Sequence, residues 1–474
     1  MESPLIPQEI REKTKYCFEC GVCTASCPMA ELLSPQYNPR SVLQQILEDP
    51  DRALKSEGLW LCAWCYKCYK RCPQGLKLPE ILHTAKQEVA KRGFDASFEK
   101  AVSIIEKHIP FPILCWYTCF HPERTGIPND KIVAMKEKLA GRPKKGKKPT
   151  NRQGRAAIIG SGPAGLTAAC QLAERGYPVT LFEALPKIGG MLRKSMPAYR
   201  LPRKELDNEI QLLKDLGVEI RTSTEVGKDI KFDELWRCGY KVVFVAVGAH
   251  TSLKLGIEGE DLDGVIDALN FLWTAKESAK VDITERVGVI GGGNVAIDAA
   301  RTALRHKAKE VVILYRRSLN EMTANPWEIG EAEKEGVRIE FQVAPKKILK
   351  KDGKVAGLEC FRVELGELDE TGRKRPVPIE GSEFSLQLGT VIVAIGERTE
   401  TSFLPNEVER DRSNRILVNP VTMETSMTRV FAGGDAVTGP ASVIEAILAG
   451  KRAAGFMEKY LNETGEREDA HLAS

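Results

Sequence analysis

From Ala156 onwards, short apolar runs alternate with segments of helical periodicity. The runs have the length and the β-branched content of buried strands: AAIIG, VTLFEA, KVVFVAVG, VGVIGGG, EVVILYRR, TVIVAIG and VFAGGD. Strands that alternate with helices are typical of parallel sheets with crossover connections. Since a glycine-rich turn occurs twice, at Gly160 and Gly291, we predict an α/β region of two Rossmann-like dinucleotide-binding domains, one inserted in the other.

The first 100 residues have a helical pattern instead. Four apolar residues recur at helical spacing, namely Val42, Leu43, Ile46 and Leu47. Pro39 suits the first turn of this helix, and the run LPEILHTAKQEVAKRGF predicts another helix that ends near Gly93. This part is therefore predicted to be an N-terminal all-α domain. Residues 101–133 show no sequence pattern that predicts their secondary structure or their domain.

The composition narrows the class of protein. Apolar residues make up 42% and charged residues 28% of the chain, and the net charge of +4 gives no reason to expect a nucleic-acid partner. No run of about 18 apolar residues predicts a membrane span, and the N-terminus lacks the apolar core of a signal peptide. We therefore expect a cytoplasmic chain. In a reducing compartment, its 13 cysteines indicate metal binding or catalysis rather than disulfides.

Eight of these cysteines lie in the runs CFECGVCTASCP and CAWCYKCYKRCP, both spaced C-x2-C-x2-C-x3-C-P. This is the bacterial ferredoxin spacing, in which the fourth cysteine binds the other cluster. We therefore predict two [4Fe–4S] clusters. One is assigned to Cys17, Cys20, Cys23 and Cys72, and the other to Cys62, Cys65, Cys68 and Cys27. Tetrahedral zinc is the alternative, but two complete four-cysteine runs, each closed by proline, favour iron–sulfur.

The first glycine-rich turn has the features of a nucleotide site. Gly160 allows the tight turn, Gly162 lets a pyrophosphate approach the backbone, and Gly165 lets the next helix pack closely. Glu183 ends the following strand, where an acidic residue binds ribose hydroxyls. The C-terminal run VFAGGDAV, with Asp435, resembles the second FAD fingerprint of pyridine-nucleotide-disulfide-type flavoproteins. This resemblance favours FAD over NAD and implies that the next helix points its N-terminus at the flavin. The alternative is that GGD is only a turn.

The second glycine-rich turn predicts a nicotinamide nucleotide site. Gly291, Gly293 and Ala296 take the three small-residue positions. The next strand ends in Arg316 and Arg317, which suit a 2′-phosphate, so NADPH is favoured over NADH. The alternative is that these arginines are only solvated residues at the end of the strand, without a ligand.

Five cysteines lie outside the two runs. Cys115 and Cys119 form a C-x3-C pair that we interpret as buried and structural, with a further redox pair as the alternative. Cys170 is interpreted as a core residue, while Cys238 and Cys360 are isolated.

Two family resemblances follow from these motifs. Residues 10–95, with CFECGVCTASCP, NPRSVLQQIL and GLWLCAWCYKCYKRCPQGLKLPEIL, resemble the C subunit of heterodisulfide reductase. The chain from Ala156 to about Tyr460, with FEALPKIGGMLRKSMPAYRLPRKELDNEI, GGGNVAIDAARTALR and FAGGDAVTGPASVIEAILAGKRAA, resembles the small subunit of glutamate synthase and related FAD-dependent NADPH oxidoreductases.

The second resemblance implies a set of binding residues. FAD is expected around Gly160, Gly162, Gly165, Glu183, Gly190, Leu192, Arg193 and Asp435. NADPH is expected around Gly291, Gly293, Asn294, Val295, Arg316, Arg317 and Gly396.

These predictions divide the chain into five parts. They are a helical ferredoxin-like domain with two [4Fe–4S] clusters (1–100), a connector and basic linker (101–155), the first part of an FAD domain (156–280), an NAD(P)H domain (281–395) and the second part of the FAD domain (396–474). Residues 142–155 contain seven Lys or Arg residues. We interpret them as a solvated linker, with a docking strip for an acidic partner as the alternative.

The expected function is electron transfer between NADPH, FAD, two [4Fe–4S] clusters and an external acceptor, because a flavin connects two-electron with one-electron carriers. The acceptor would be a ferredoxin or a heterodisulfide-reductase-like subunit of a multi-subunit complex. No catalytic residue beyond the cofactors is predicted. The alternatives are a glutamate synthase small subunit and a non-catalytic iron–sulfur scaffold.

Overall fold

The computed structural model describes residues 8–15, 17–93, 95–140, 154–278, 280–369 and 372–462. Of the basic segment 142–155, all but Gly154 and Arg155 lie outside the described residues, so neither interpretation of it is tested. The chain divides into two compact units. The first comprises Met1–Gly190, Arg200–Gly248 and Thr401–Ser474, and the second comprises Met191–Tyr199 and Ala249–Glu400.

The N-terminal part of the first unit is helical, as predicted. Its helices are α1 (Gln8–Thr14), α2 (Val22–Ala25), α3 (Pro28–Leu32), α4 (Pro39–Glu48), α5 (Pro50–Leu54), α6 (Lys67–Arg71), α7 (Leu78–Lys91), α8 (Asp95–His108), α9 (Pro112–Cys115) and α10 (Asn129–Ala140). Short 3₁₀ turns occur at Glu57–Leu61 and Pro122–Arg124, and Trp116–Phe120 form a π-helical turn.

Local sequence explains the limits of these helices. Asn38 caps α4, because its side-chain oxygen accepts from the backbone N–H groups of Arg40 and Ser41. Pro39 occupies the first turn, where a missing N–H costs no helical bond. Gly93, just beyond α7, has φ 71°, a left-handed conformation that glycine adopts without strain.

The segment without a sequence pattern, 101–133, belongs to the same hydrophobic core as the cysteine runs. Phe98 and Val102 of α8 and Trp116 of the π-helical turn are buried there. Ile444 and Ile447, more than 300 residues away in sequence, complete this core. The hydrophobic core of the helical domain is thus completed by residues that are distant in sequence.

The first unit also contains a five-stranded parallel sheet in the order β16-β4-β1-β2-β3. Its strands are β1 (Arg155–Ile159), β2 (Val179–Phe182), β3 (Glu219–Arg221), β4 (Tyr240–Val245) and β16 (Val430–Ala432). Its helices are α11 (Pro163–Glu174), α13 (Arg203–Asp215), α14 (Phe232–Arg237), α18 (Asp435–Thr438) and α19 (Val443–Asn462). Helix α12 (Gly190–Lys194) contains residues assigned to both units.

The second unit contains another five-stranded parallel sheet, in the order β6-β14-β7-β8-β9. Its strands are β6 (Val265–Asp267), β7 (Arg286–Ile290), β8 (Glu310–Tyr315), β9 (Arg338–Phe341) and β14 (Thr390–Val393). Its helices are α15 (Ala268–Glu277), α16 (Asn294–Arg305) and α17 (Pro326–Lys334), with a 3₁₀ turn at Leu319–Glu321. Two Rossmann-like domains are therefore present, as the strand and turn pattern predicted.

An antiparallel sheet in the second unit was not predicted. Its strands are β10 (Val343–Lys351), β11 (Lys354–Leu368), β12 (Lys374–Pro378) and β13 (Phe384–Leu386), with β11 paired to the other three. The short strands β5 (Thr251–Ser252) and β15 (Glu397–Arg398) form a separate antiparallel pair. The alternating, half-polar pattern of these strands gives a weaker signal than the apolar runs of the parallel sheets.

Among the helices that the structure describes, none has both the length and the apolar character needed to cross a membrane.

Helices α11 and α19 pack closely because glycine lies at their contact. A Cβ atom at Gly450 of α19 would overlap the carbonyl oxygen of Ala164. A Cβ at Gly165 of α11 would overlap the carbonyl oxygen of Gly160. The glycine turn after β1 is therefore held between its own strand and the C-terminal helix.

We predict that Gly450→Ala destabilises the protein by about 1–3 kcal/mol, because the methyl group forces α11 and α19 apart. Gly455→Ala is the matched control on the same helix, since a Cβ there meets no atom within 4 Å. This control should stabilise the protein by about 0.5–1 kcal/mol through helix propensity. Urea unfolding of the two variants provides the measurement, and equal effects on stability would contradict this description of the helix contact.

Candidate functional site

Four cysteine thiols form a largely buried group in the helical domain. Cys62 lies after the 3₁₀ turn, Cys65 precedes α6, Cys68 lies on α6, and Cys27 immediately precedes α3. Burial, and then the charge of neighbouring thiolates that include Cys62, raises the pKa of Cys27 and of Cys65 to about 12. The pKa of Cys68 is raised by the same causes, with Cys62, Cys65 and Cys27 all contributing. The predicted second ligand set is thus brought together.

The other four cysteines include one exposed thiol. Cys20 is exposed, while Cys17, Cys23 and Cys72 are half-buried. Burial, opposed by hydrogen bonds from Thr24, raises the pKa of Cys23, and the charges of Cys17 and Cys20 raise it further. Cys72 follows the last residue of α6.

The chemistry of the donor set fits iron–sulfur clusters. Within the described residues, no three His, Cys, Asp or Glu side chains converge closely enough to hold one metal ion. A single zinc ion needs four ligands at about 2.0–2.3 Å from one point. In a four-iron cube, by contrast, each thiolate bonds a different iron. The eight thiols of the two runs are therefore soft donors that suit such cubes.

The cysteine loops contact the start of α19. Lys67, next to Cys68, forms an ion pair with Glu445 in the first turn of this helix. Ser442, just before α19, donates its hydroxyl to Glu445 at 2.8 Å. Further along, Arg452 pairs with Glu31 of α3. Polar contacts in the first turn and in the middle of α19 thus hold the helical domain against this helix.

The first glycine turn is tied to the end of β2. Glu183, the residue after β2, is buried and accepts from the backbone N–H of Ser161 at 3.1 Å and of Leu185 at 2.8 Å. Gly162 has no atom within 4 Å of an added Cβ, so this side of the turn is open. At Gly190, with φ 51°, a Cβ would lie 2.7 Å from the Cα of Gly162. The turn is therefore shaped as a cradle that leaves its backbone accessible.

Three further residues expected at the flavin site lie on helices α18 and α12. Asp435 starts α18, and its carboxylate accepts from the backbone N–H of Ala441 at 3.1 Å. Burial, with a contribution from Glu445, raises the pKa of Asp435 to about 6. Leu192 and Arg193, on α12, are buried.

The second glycine turn follows β7. Gly291 has φ 146°, and a Cβ there would overlap the carbonyl oxygen of Ala394. Gly293 precedes α16, and Asn294 accepts from the backbone N–H of Asn325 at 2.9 Å. Gly292 was missed by the sequence analysis, although the GGG run was its signal: a Cβ there would overlap the ring of Tyr315.

The remaining residues expected in this site lie around it. Val295 is partly buried and packs against the hydrophobic core of this sheet, and Ala296 is fully buried in it. Gly396, with φ 124°, follows β14 and is half-buried.

The two arginines after β8 differ in their surroundings. Arg317 is 3% exposed, pairs with Asp369 at 2.6 Å, and donates through Nε to the carbonyl of Lys374 at 2.8 Å. Arg316 is exposed, and burial followed by the charges of Arg317 and Arg373 lowers its pKa. Arg316 therefore points a positive charge outwards, whereas Arg317 is bound within the protein.

The cysteines outside the runs lie mostly in the interior. Cys115 and Cys119 are buried, and the hydroxyl of Thr118 lies 3.3 Å from the sulfur of Cys119. Cys170 and Cys360 are buried, and Cys238 is exposed.

Two parallel sheets, each with a glycine turn after a strand, define the class of proteins with paired dinucleotide-binding domains. The pyridine nucleotide-disulphide oxidoreductase family matches residues 154–450, and the 4Fe-4S dicluster domain family matches residues 13–76. The chain therefore belongs to the pyridine nucleotide-disulphide oxidoreductase family, with a ferredoxin domain at its N-terminal side. The expected two-part resemblance is confirmed.

Individual relatives support this family assignment. The NADP(+)-dependent formate dehydrogenase subunit beta of Moorella thermoacetica is 39% identical over 84% of this chain and 60% of its own length. The glutamate synthase [NADPH] small chain of Escherichia coli is 35% identical over 70% of this chain and 73% of its own length. The first relatives are longer, since this chain spans about 60–65% of their length.

A solved structure shares the fold. Mycobacterium tuberculosis FprA in complex with NADPH has 21% identity and a TM-score of 0.55, covering 65% of this chain and 85% of that one.

We predict a pH-dependent effect of Asp435→Asn on the flavin-free protein. The pKa of Asp435 is about 6 when folded and 3.8 in the reference state, so the folded state binds more protons between these values. Stability from this group is therefore present at low pH and lost as pH rises from about 4 to 6. At pH 7.5 the asparagine variant should be more stable by about 2–3 kcal/mol. Unfolding curves at pH 4 and 7.5 measure this, and a pH-independent difference would refute it.

Proposed function

We propose that the chain is an oxidoreductase subunit that transfers electrons between NADPH and an external acceptor through FAD and two [4Fe–4S] clusters. One observation carries this proposal: the cysteine loops contact the first turn of α19, the helix that follows Asp435 in the expected flavin site. A flavin exchanges electron pairs with nicotinamides and single electrons with iron–sulfur clusters. The contact therefore holds the cysteine loops at the start of the helix that follows Asp435.

The residues proposed to hold FAD have separate tasks. Gly160, Gly162 and Gly165 leave backbone N–H groups at the start of α11 free to bind a pyrophosphate. Glu183 orients this turn through its bond to Ser161 and is the residue expected to meet the ribose. The positive end of α19 favours negative charge on a bound flavin.

For NADPH, the proposal distinguishes the two arginines. Arg316 is exposed after β8 and supplies positive charge for the 2′-phosphate. Arg317, paired with Asp369, holds the backbone at this point and positions its neighbour. Gly291 and Gly293 provide the pyrophosphate turn at the start of α16.

We also propose crossed cluster ligands, with Cys72 completing the group of Cys17, Cys20 and Cys23, and Cys27 completing the group of the second run. The raised pKa of Cys68, to which Cys27 contributes, supports the crossing for the second group. The first group contains the exposed thiol of Cys20, and Phe18 beside it is 71% exposed. A partner subunit or ferredoxin would therefore dock at this face.

The names of the relatives indicate what kind of partner to propose for this chain. Two of them are beta subunits, of an NADP(+)-dependent formate dehydrogenase and of an NADPH-Fe(3+) oxidoreductase, so a second subunit with its own redox centre is the partner we propose. A glutamate synthase small subunit is the second candidate, supported by the 73% coverage of that relative. Isolating the native complex and identifying its other chains distinguishes the two.

We predict about eight irons and eight sulfides per chain after anaerobic purification, the sum for two cubes. Cys72→Ser should damage the cluster of Cys17, Cys20 and Cys23 rather than its sequence neighbour. The matched control is Cys238→Ser, because Cys238 is exposed and outside both runs. Metal analysis and EPR spectra measure both outcomes. Stoichiometric zinc without broad visible absorption would exclude this assignment.

We predict that NADPH bleaches the flavin of the anaerobic protein, and that Arg316→Ala weakens NADPH but not NADH. Losing a charge-assisted hydrogen bond of about 1.5–3 kcal/mol should raise the KM for NADPH at least about tenfold. Arg286→Ala, at the other end of the same sheet, is the control. Stopped-flow absorbance measures flavin reduction by each nucleotide. An equal effect on both nucleotides would show that Arg316 does not read the 2′-phosphate, and an unbleached wild-type flavin would disprove the reductase proposal.

A further inference from the structure

A lysine is buried beside the second cysteine run. Lys86 lies in the middle of α7, and its side chain is only 5% exposed. Its Nζ donates to the backbone carbonyl of Cys62 at 3.4 Å. Lysine is among the residues that are almost never fully buried unless their charge is compensated. The position of Lys86 therefore requires an explanation.

The described residues offer no carboxylate for this charge. Lys86 forms no ion pair with any Asp or Glu in the part of the chain that the structure covers. Burial lowers the pKa of Lys86, and the charge of Cys62 opposes this shift. Its other neighbours include Trp60, Phe98 and Trp116, which line a cavity of about 10 Å³ with it. A cation in such apolar surroundings is stabilised by an anion at Cys62.

A second buried group lies near the same sulfur. Burial, followed by the charges of Cys62, Cys27 and Cys68, raises the pKa of the Tyr37 hydroxyl. Cys62 itself is buried in the core of the helical domain. Cys62 therefore lies near both the hydroxyl of Tyr37 and the ammonium group of Lys86. Cys20 of the first run, by contrast, is exposed.

We propose that Lys86 and Tyr37 raise the reduction potential of the cluster held by Cys62, Cys65, Cys68 and Cys27. This inference rests on the proposed function, since it requires that these cysteines hold a cluster. A four-iron cube with four thiolates is anionic, and one-electron reduction adds one negative charge without breaking a bond. A buried positive charge and a hydrogen bond to sulfur both stabilise the reduced form, and burial strengthens the effect of the charge.

The test is an EPR-monitored redox titration of the anaerobic holoprotein at one pH. Lys86→Gln should shift one of the two cluster potentials to more negative values, by at least a tenfold change in the one-electron equilibrium, which is about 59 mV. The other cluster should not change. Lys86→Arg keeps the charge and should retain the wild-type potential. Lys91→Gln is the matched control, because Lys91 lies on the same helix with a 75% exposed side chain.

A second variant keeps the proposal testable if Lys86→Gln does not fold or does not assemble its clusters. Tyr37→Phe keeps the ring and removes only the hydroxyl, so it should move the same cluster in the same direction by a smaller amount. If Lys86→Gln does not assemble both clusters, an unchanged potential in Tyr37→Phe overturns the proposal. Wild-type potentials in Lys86→Gln, or an equal shift in Lys91→Gln, also overturn it. Wild-type protein without iron would instead refute the proposed function.

Discussion

The structure depends on the packing of the cysteine-bearing helices against one face of α19. Ile444 and Ile447 are buried in the core of the helical domain, while Lys67 pairs with Glu445 at its edge. Another face of the same helix lies against α11, where Gly450 allows close approach. Since one 20-residue helix serves both contacts, the cysteine loops and the first glycine turn are held in a fixed relation within their unit.

This shared helix explains which parts of the fold could be predicted from the sequence. Strands and glycine turns depend on local patterns, so both parallel sheets and the turns at Gly160 and Gly291 were predicted. Residues 101–133 could not be assigned, because their apolar side chains fill a core completed by Ile444 and Ile447. No local pattern indicates such a distant contact. The antiparallel sheet was missed because its strands are polar on one face.

The surroundings of the site residues also depend on distant contacts that the sequence pattern does not indicate. Arg316 and Arg317 are equivalent in sequence, but Arg317 is buried against Asp369, 52 positions away. The two cysteine runs have identical spacing, yet Cys20 is exposed and Cys62 is buried. Spacing predicts which donors a cluster needs, whereas burial decides how polar its surroundings are. The two clusters that we propose would therefore have the same kind of ligands in different electrostatic environments, which is the physical basis for two different reduction potentials.

The central claim is that flavin, clusters and nicotinamide nucleotide exchange electrons within this one chain. The most direct measurement is to photoreduce the anaerobic protein fully, add NADP+, and follow NADPH formation together with the cluster EPR signals. The account predicts about two NADPH per chain and loss of both cluster signals, since a flavin holds an electron pair and each of two clusters holds one electron. About one NADPH per chain, with the clusters still reduced, would contradict it.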